Sequence, residues 1–229
     1  MATNTYMLEY DAFIRSIKQN KNVSHAVLLG AGASISSQIQ SAADCIWEWK
    51  RDIYSSNNPN TTLIVSNFRS EAVRRSIQAW LDAQGKYPLM GSSDEYSFYA
   101  EKAYPIEADR QKYFEQLAYN KAPYIGYKLL CMLNNAGIVK SVWTTNFDGL
   151  TERAAHQMNI TPICITLDDP ERIFRNENSH ELLYIALHGD YKYSKLKNTN
   201  QELDTQNNIF KDALKRHFVD KNLIVMGYS

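Results

Sequence analysis

Five short apolar segments constrain the fold of this chain more than any other feature. Each is rich in Ile, Val and Leu on both faces and ends in small or polar residues. Strands with two apolar faces are typical of parallel sheets that helices cover on both sides. Because helical segments separate several of them, we predict an α/β fold, a Rossmann-like, doubly wound parallel sheet with helices on both faces. The predicted strands are residues 25–30, 138–145, 161–166, 182–189 and 222–229.

One long part of the chain, from about residue 55 to residue 137, does not keep the alternation of strands and helices. It begins with a loop-forming sequence, residues 55–60, and contains a second one, residues 84–96. We expect a mainly helical insertion there, within a single domain that spans residues 1–229. The predicted helices are residues 66–83, two within residues 109–137, then 148–159 and 208–221.

The composition excludes several classes of function. The chain has 25 basic and 25 acidic residues, which excludes nucleic-acid binding through a large positive charge. No apolar run approaches the roughly 18–20 residues of a membrane span, and no secretory signal is visible. Cys45, Cys131 and Cys164 are scattered, without a CxxC pair, which argues against a disulfide framework or a structural zinc site. We therefore expect a cytoplasmic protein that binds neither membranes nor, directly, nucleic acid.

A glycine-rich turn, GAGAS at residues 30–34, follows the first predicted strand. It lacks the third glycine of a dinucleotide fingerprint and the lysine of a nucleotide-triphosphate loop. Glycines here let backbone N–H groups approach a diphosphate, and Ser34 can cap the next helix or donate to phosphate. The alternative is steric, since short strand-to-helix turns use glycine for close packing. Asp52 lies where a dehydrogenase has its acidic residue, but no second strand follows the turn, which disfavours a dehydrogenase.

Polar or glycine-rich sequences follow four of the five predicted strands. They are GAGAS (30–34), TTNFD (144–148), LHGD (187–190) and GYS (227–229). Because the carboxyl ends of parallel strands meet at one edge of a sheet, we expect all four to face one ligand crevice. In order and spacing they resemble the corresponding sequences of the sirtuin family. The resemblance covers the strands and their ends and leaves out the helical insertion.

The resemblance implies that NAD⁺ binds in this crevice and assigns the matching residues to its parts. Asn146 and Asp148 are implied to lie beside the nicotinamide ribose and carboxamide, and His188 is implied to face the ribose hydroxyls. These three are the implied catalytic residues. The implied NAD⁺-binding residues are Gly30, Ala31, Gly32 and Ser34 for the phosphates, Thr145 in place of the family's glutamine, and Gly227 and Ser229 on the adenosine side.

Two departures from the deacylases of the family change the expected reaction. No CxxC zinc pair follows His188, and the glycine turn does not continue into Gly-Ile-Pro-Asp-Phe-Arg. This pattern, with HGDYxYxxLKNTxxEL from residue 188, is similar to the zinc-free sirtuin-like NADase domains at the N-termini of bacterial anti-phage effectors. The resemblance therefore implies a zinc-free, NAD⁺-depleting hydrolase of an anti-phage defence system, in the N-terminal part of a longer protein. Such domains occur beside Argonaute-type, STAND or HerA-like ATPase partners. Because a free NADase would be toxic, we expect control by a regulatory domain or such a partner protein, and a homo-oligomer in the active state.

Other functions stay open at this point. The alternatives are a NAD⁺-dependent deacylase, an ADP-ribosyltransferase, or a silent sensor of NAD⁺ or ADP-ribose. Asn146 and Asp148 alternatively cap the following helix, and His188 alternatively is a turn residue. In a hydrolase, Asp148 would stabilise positive charge at the ribose, Asn146 would place a water or a ribose hydroxyl, and His188 would act as general base. On this interpretation Gly32→Val removes NAD⁺ binding and leaves the fold largely intact.

Overall fold

The fold is built on a sheet of five parallel strands in the order β3-β4-β2-β1-β5. The computed structural model describes residues 7–20, 22–61, 67–166, 170–175, 178, 180–189 and 208–228. The strands are β1 (Ser24–Leu29), β2 (Val139–Thr144), β3 (Thr161–Ile165), β4 (Glu181–Ala186) and β5 (Lys221–Met226). All five predicted strands and their parallel pairing are confirmed.

Helices account for most of the remaining described residues. The α-helices are α1 (Tyr10–Gln19), α2 (Ala42–Asn57), α3 (Glu71–Ala83), α4 (Glu95–Ala103), α5 (Glu107–Ala118), α6 (Ile125–Asn135), α7 (Leu150–Gln157) and α8 (Asn208–Phe218). Short 3-10 helices are Ala31–Ser37, Pro59–Thr61 and Pro170–Phe174. The predicted helices are confirmed to within a few residues, including the two in residues 109–137. In the described part of the chain, no helix combines the length and apolarity needed to cross a membrane.

The two faces of the sheet are both covered, because successive residues of a strand point to opposite sides. Val27 of β1 packs in one core with Leu130 of α6 and with residues of α7. Ala26 and Trp143 lie in the other core, which includes Ala213 of α8. The predicted doubly wound α/β class is therefore confirmed.

A third core lies among helices α2, α3, α4 and α5. Trp49 of α2 is fully buried there, with its ring centroid 6.4 Å from that of Phe114. Lys50, the next residue, is buried as well, and its Nζ forms an ion pair with Glu95 of α4. The same Nζ donates to Gln78 Oε1 of α3 at 2.7 Å. This buried pair therefore connects three helices of the layer.

Two elements of this helical layer differ from the sequence predictions. α2 continues to Asn57, so the loop predicted from residue 55 begins later. α4 begins at Glu95, inside the loop predicted for residues 84–96. Because α2 packs against α3 and α4, the layer begins before residue 55. The description of the chain as one domain with an insertion stays a prediction.

Candidate functional site

The carboxyl ends of four strands lie side by side because the strands pair in step. Leu29 of β1 pairs with Thr144 of β2 and with Met226 of β5, and Thr144 pairs with Ala186 of β4. The loops that follow these residues therefore emerge at one edge of the sheet, as predicted. In open α/β sheets this edge is where ligands bind.

A cavity of about 400 Å³ lies at this edge, within the size range of small-molecule sites. Its wall combines the strand ends with side chains of the helical layer. The predicted site residues that line it are Ala31, Ser34, Thr145, Asn146, Asp148, His188 and Gly227. The helical layer contributes Cys45, Tyr96, Ser97, Phe114, Leu117 and Ala118. Ser229, the remaining predicted residue on the adenosine side, lies outside the described residues.

Gly30 and Gly32 pack against the turn at Gly227 in a backbone junction. The Gly30 N–H donates to the Met226 carbonyl at 2.9 Å, and the Gly32 N–H donates to the Gly227 carbonyl at 2.8 Å. A Cβ at Gly30 would lie 2.4 Å from the Gly227 oxygen, and one at Gly32 would lie 2.9 Å from Gly227 Cα. At Gly227 the φ angle is +62°, and a Cβ would lie 2.2 Å from the Ala33 nitrogen. Close packing of two turns therefore explains all three glycines.

This junction corrects one expectation and qualifies another. The expectation that Gly32→Val leaves the fold largely intact is wrong, because the added side chain meets backbone on the facing turn. The N–H groups of Gly30 and Gly32 already have carbonyl acceptors, so they do not form a free diphosphate cradle in this structure. Phosphate binding by the turn at residues 30–34 stays a prediction.

Asn146 is held in one orientation at the cavity wall and is only 8% exposed. Its side-chain Nδ2 donates to the Gly30 carbonyl at 2.9 Å and to Ser34 Oγ at 3.0 Å. Its backbone N–H donates to Thr144 Oγ1 at 3.0 Å. Oδ1, the other end of the amide, is buried and has no hydrogen-bond partner among the described residues. Asn146 therefore keeps one buried acceptor that the described residues leave unsatisfied.

Asp148 is also buried, at 9% exposed, and both of its carboxylate oxygens are used. Oδ2 accepts from the Ser34 hydroxyl at 2.5 Å, and Oδ1 accepts from the Leu150 N–H at 2.9 Å. The second bond satisfies the first N–H of α7, although the N-cap residue itself is Gly149. Part of the helix-cap alternative therefore holds for Asp148, which lines the cavity as well. Burial raises the pKa of Asp148, and the two hydrogen bonds and the charge of Arg153 offset this only in part.

Ser34 is buried between these two side chains rather than turned toward open space. Its hydroxyl lies 2.9 Å from the Tyr127 hydroxyl in addition to its contacts with Asp148 and Asn146. Ser34 can donate to a phosphate, as predicted, only if its hydroxyl proton leaves Asp148. The structure therefore gives Ser34 a place inside the site, next to the two predicted catalytic residues.

His188 reaches the same cavity from the turn after β4. It is half-buried, and its ring centroid lies 6.3 Å from that of Phe147. The Phe147 ring in turn packs against Phe114 of the helical layer, with 4.8 Å between centroids. The structure thus brings together Asn146, Asp148 and His188, as the sequence predicts.

Comparison with known protein families finds a similarity in one segment of the chain. Residues 140–229 match the family model of the SIR2-like domain. This part of the chain is sirtuin-like. The resemblance inferred from the strand-end sequences is thereby confirmed, whereas the anti-phage context stays a prediction. No curated protein matches the chain significantly.

The matched segment runs from the second residue of β2 through β5 and includes three of the four strand-end sequences. SIR2-like domains use NAD⁺, so the match points to NAD-related chemistry for this segment. The roles of Asn146, Asp148 and His188 stay predictions. The glycine turn at residues 30–34 precedes the matched segment, but the pairing of β1 with β2 brings it to the same crevice. Two residues of this turn, Ala31 and Ser34, line the cavity and are therefore part of the site.

Sequence reasoning missed the contribution of the helical layer to this site. Tyr127 of α6 contacts Ser34, and Tyr96 and Phe114 form part of the cavity wall. No local pattern marks these residues as functional. One sequence feature pointed to Tyr127, which lies within the apolar run IGYKLL. A tyrosine buried in such a run usually finds a hydrogen-bond partner for its hydroxyl.

Within the described ranges, no group of three or more His, Cys, Asp or Glu side chains could hold a metal ion. Residues 190–207, where sirtuin deacylases have a zinc module, lie outside the described part of the chain. A zinc-free protein therefore stays a prediction.

Proposed function

We propose that this site hydrolyses NAD⁺ at the nicotinamide–ribose bond and releases nicotinamide and ADP-ribose. The observation that carries the proposal is the unsatisfied Oδ1 of Asn146 in a cavity wall shared with Asp148 and His188. A buried acceptor without a partner costs roughly 1–3 kcal/mol, so it favours a ligand that brings a donor. A ribose hydroxyl and a water molecule both meet that need.

The fixed amide of Asn146 suits it to placing such a donor. Nδ2 is held by the Gly30 carbonyl and by Ser34 Oγ, so the amide cannot turn without losing both bonds. Positioning of reactants by preset groups lowers the barrier because the ordering cost is met during folding. Asn146 would therefore hold the attacking water or a ribose hydroxyl near the carbon that loses nicotinamide.

Asp148 and His188 supply the charge and the base that this bond cleavage needs. Departure of nicotinamide leaves positive charge on the ribose, as in other oxocarbenium-like transition states. The ionised Asp148 carboxylate, held by Ser34 and Leu150, would stabilise that charge electrostatically. His188, at the same cavity, would take the proton from the ribose hydroxyl or the water.

The test is chromatography of the products after NAD⁺ is incubated with the parent protein and with Asn146→Ala and His188→Ala. Loss of a general base typically lowers the rate about 10²–10⁴-fold, so His188→Ala should nearly abolish NAD⁺ loss. Asn146→Ala should nearly abolish it as well, because it removes the group that places the attacking water or ribose hydroxyl. The double variant should be little worse than either single one, because residues that act as a unit are non-additive. His156→Ala, at an exposed histidine on α7, is the matched control and should keep the parent rate.

Three outcomes would contradict hydrolysis at this site. Parent-rate NAD⁺ loss in both Asn146→Ala and His188→Ala would remove these residues from the reaction. Protein modified by acyl removal or by ADP-ribose, seen by mass spectrometry, would favour the deacylase or transferase. Binding of NAD⁺ by the parent without release of either product would favour a sensor.

For the biological setting, the support is the sequence resemblance alone. We propose that the chain is a cytoplasmic NAD⁺-depleting effector of bacterial anti-phage defence, controlled by a partner protein or by self-association. Expression of the parent and of Asn146→Ala in bacteria challenged with phage tests this, with cellular NAD⁺ as the readout. NAD⁺ that stays constant during infection in the parent strain would contradict the effector role.

A further inference from the structure

We propose that Tyr127 of α6 is a positioning residue of the site, which acts through Ser34 to keep Asp148 and Asn146 in their observed arrangement. Tyr127 belongs to the helix before β2 and is only 5% exposed. Its hydroxyl lies 2.9 Å from Ser34 Oγ. The kinetic part of this inference rests on the proposed function, while its structural part does not.

The direction of each hydrogen bond around Ser34 follows from what its neighbours can do. A serine hydroxyl has one proton to donate and two lone pairs to accept with. The Asn146 Nδ2 group, 3.0 Å from Ser34 Oγ, can only donate. An ionised Asp148 carboxylate, 2.5 Å away, can only accept. Ser34 therefore gives its proton to Asp148, and one lone pair remains for the proton of Tyr127.

Tyr127 completes this network because its phenol keeps its proton. Burial and the nearby charge of Asp148 both raise the pKa of Tyr127, and these effects outweigh the opposing ones of Ser34, Asn146 and Arg153. A hydroxyl that accepts a hydrogen bond becomes a stronger donor in turn, since successive bonds polarise one another. Donation by Tyr127 thus strengthens the Ser34–Asp148 bond and favours the ionised carboxylate.

The effect of the Tyr127 hydroxyl on Asp148 can be measured separately from that of the other groups around the carboxylate. Besides Ser34, the carboxylate accepts from the Leu150 N–H, and the guanidinium of Arg153 donates to the Asp148 backbone carbonyl at 2.6 Å. His188 lines the same cavity. Tyr127→Phe leaves all of these groups in place and keeps the aromatic ring in the core, so it removes one hydroxyl and little else.

The experiment follows the carboxyl carbon of Asp148 by NMR across pH, in the full chain, with Asp148→Asn to assign the signal. Loss of one hydrogen bond in this network should raise the pKa of Asp148 by about half to one pH unit in Tyr127→Phe. Tyr124→Phe is the matched control, because Tyr124 adjoins the same helix and is 57% exposed. It should leave the titration of Asp148 unchanged.

The same Tyr127→Phe substitution, made in the Ser34→Ala variant, tests whether Tyr127 acts through Ser34 or by a merely structural effect. In Ser34→Ala the pKa of Asp148 should rise, and Tyr127→Phe added to it should produce little further rise. An unchanged Asp148 titration in Tyr127→Phe alone would overturn the proposal. So would a shift by Tyr127→Phe that is equally large in the Ser34→Ala background, since Tyr127 would then act by another route.

NAD⁺ cleavage provides the kinetic test. If the proposed hydrolysis is correct, Tyr127→Phe should lower kcat about tenfold and leave KM nearly unchanged, as expected when a group favours the transition state alone. A parent-like kcat in Tyr127→Phe would overturn the role of Tyr127 in catalysis. If Tyr127→Phe shifts the titration of Asp148 but the parent protein does not cleave NAD⁺, the hydrogen-bond network is supported and the proposed function is contradicted.

Discussion

Replacement of Gly227 by alanine should weaken the junction between the turns that follow β1 and β5. The residue has a φ angle of +62°, and an added Cβ would lie 2.2 Å from the Ala33 nitrogen and 2.7 Å from the Gly32 carbonyl carbon. These are backbone atoms of the facing turn, which cannot rotate away as a side chain can. The turns must therefore separate, and the hydrogen bonds from Gly30 to Met226 and from Gly32 to Gly227 lengthen or break.

The expected loss of stability has two parts. A side chain in the left-handed region costs roughly 1–2 kcal/mol. Each of the two junction hydrogen bonds contributes about 0.5–1.5 kcal/mol net. Gly227→Ala should therefore lower the free energy of unfolding by about 2–5 kcal/mol, a large share of the roughly 5–15 kcal/mol of a typical domain.

Gly85→Ala separates the two contributions. Gly85 has the same φ angle of +62°, but nothing lies within 4 Å of an added Cβ. Its replacement should therefore cost only the roughly 1–2 kcal/mol of backbone strain. Urea unfolding of parent, Gly227→Ala and Gly85→Ala, followed by tryptophan fluorescence, measures the difference. Equal destabilisation by the two substitutions would refute the close contact between the turns.

Three further predictions concern charge, thiols and metal. Lys50→Met should lower the free energy of unfolding by about 3–5 kcal/mol because it leaves Glu95 buried without its partner, and Glu95→Gln in addition should recover part of the loss in thermal unfolding. Burial raises the pKa of both Cys45 and Cys131 from 9.0 to about 11. The folded thiols hold their protons more tightly than the unfolded ones, so urea unfolding should show stability falling as pH rises from 9 toward 11. Purified protein should contain no stoichiometric zinc, and chelators should leave its thermal midpoint unchanged; one zinc per chain by elemental analysis would contradict this.

The sheet could be predicted from the sequence because its signals are local. Each strand is a short apolar run, and the polar residues that follow it mark the edge where the loops emerge. The resemblance of these strand-end sequences to the sirtuin family then assigns Asn146, Asp148 and His188 to the site. The parallel order of the strands then brought them to one cavity.

The helical layer was harder to predict because its structure depends on distant partners. Glu95 begins α4 within a turn-like sequence, and its ion pair with Lys50 joins residues far apart in the chain. One local signal was available for α2. The Ser41 side chain accepts from the Asp44 N–H at 3.1 Å, the start that a serine followed three residues later by an acidic residue predicts.

For the glycine turn, the sequence alone left two interpretations open, a role in the ligand site and a steric role. The structure shows that the steric role also affects the site. Gly30 and Gly32 are required sterically, because the turn at Gly227 packs against them. The same packing has a consequence for the site, since the Gly30 N–H is held by Met226 while the Gly30 carbonyl accepts from Asn146 Nδ2 at 2.9 Å. The junction therefore helps to hold the amide of Asn146, a residue of the cavity wall, in its orientation. If that orientation matters for NAD⁺ cleavage, folded Gly227→Ala should lose more kcat than folded Gly85→Ala. Equal kcat in the two variants would separate the steric role of the turn from the chemistry.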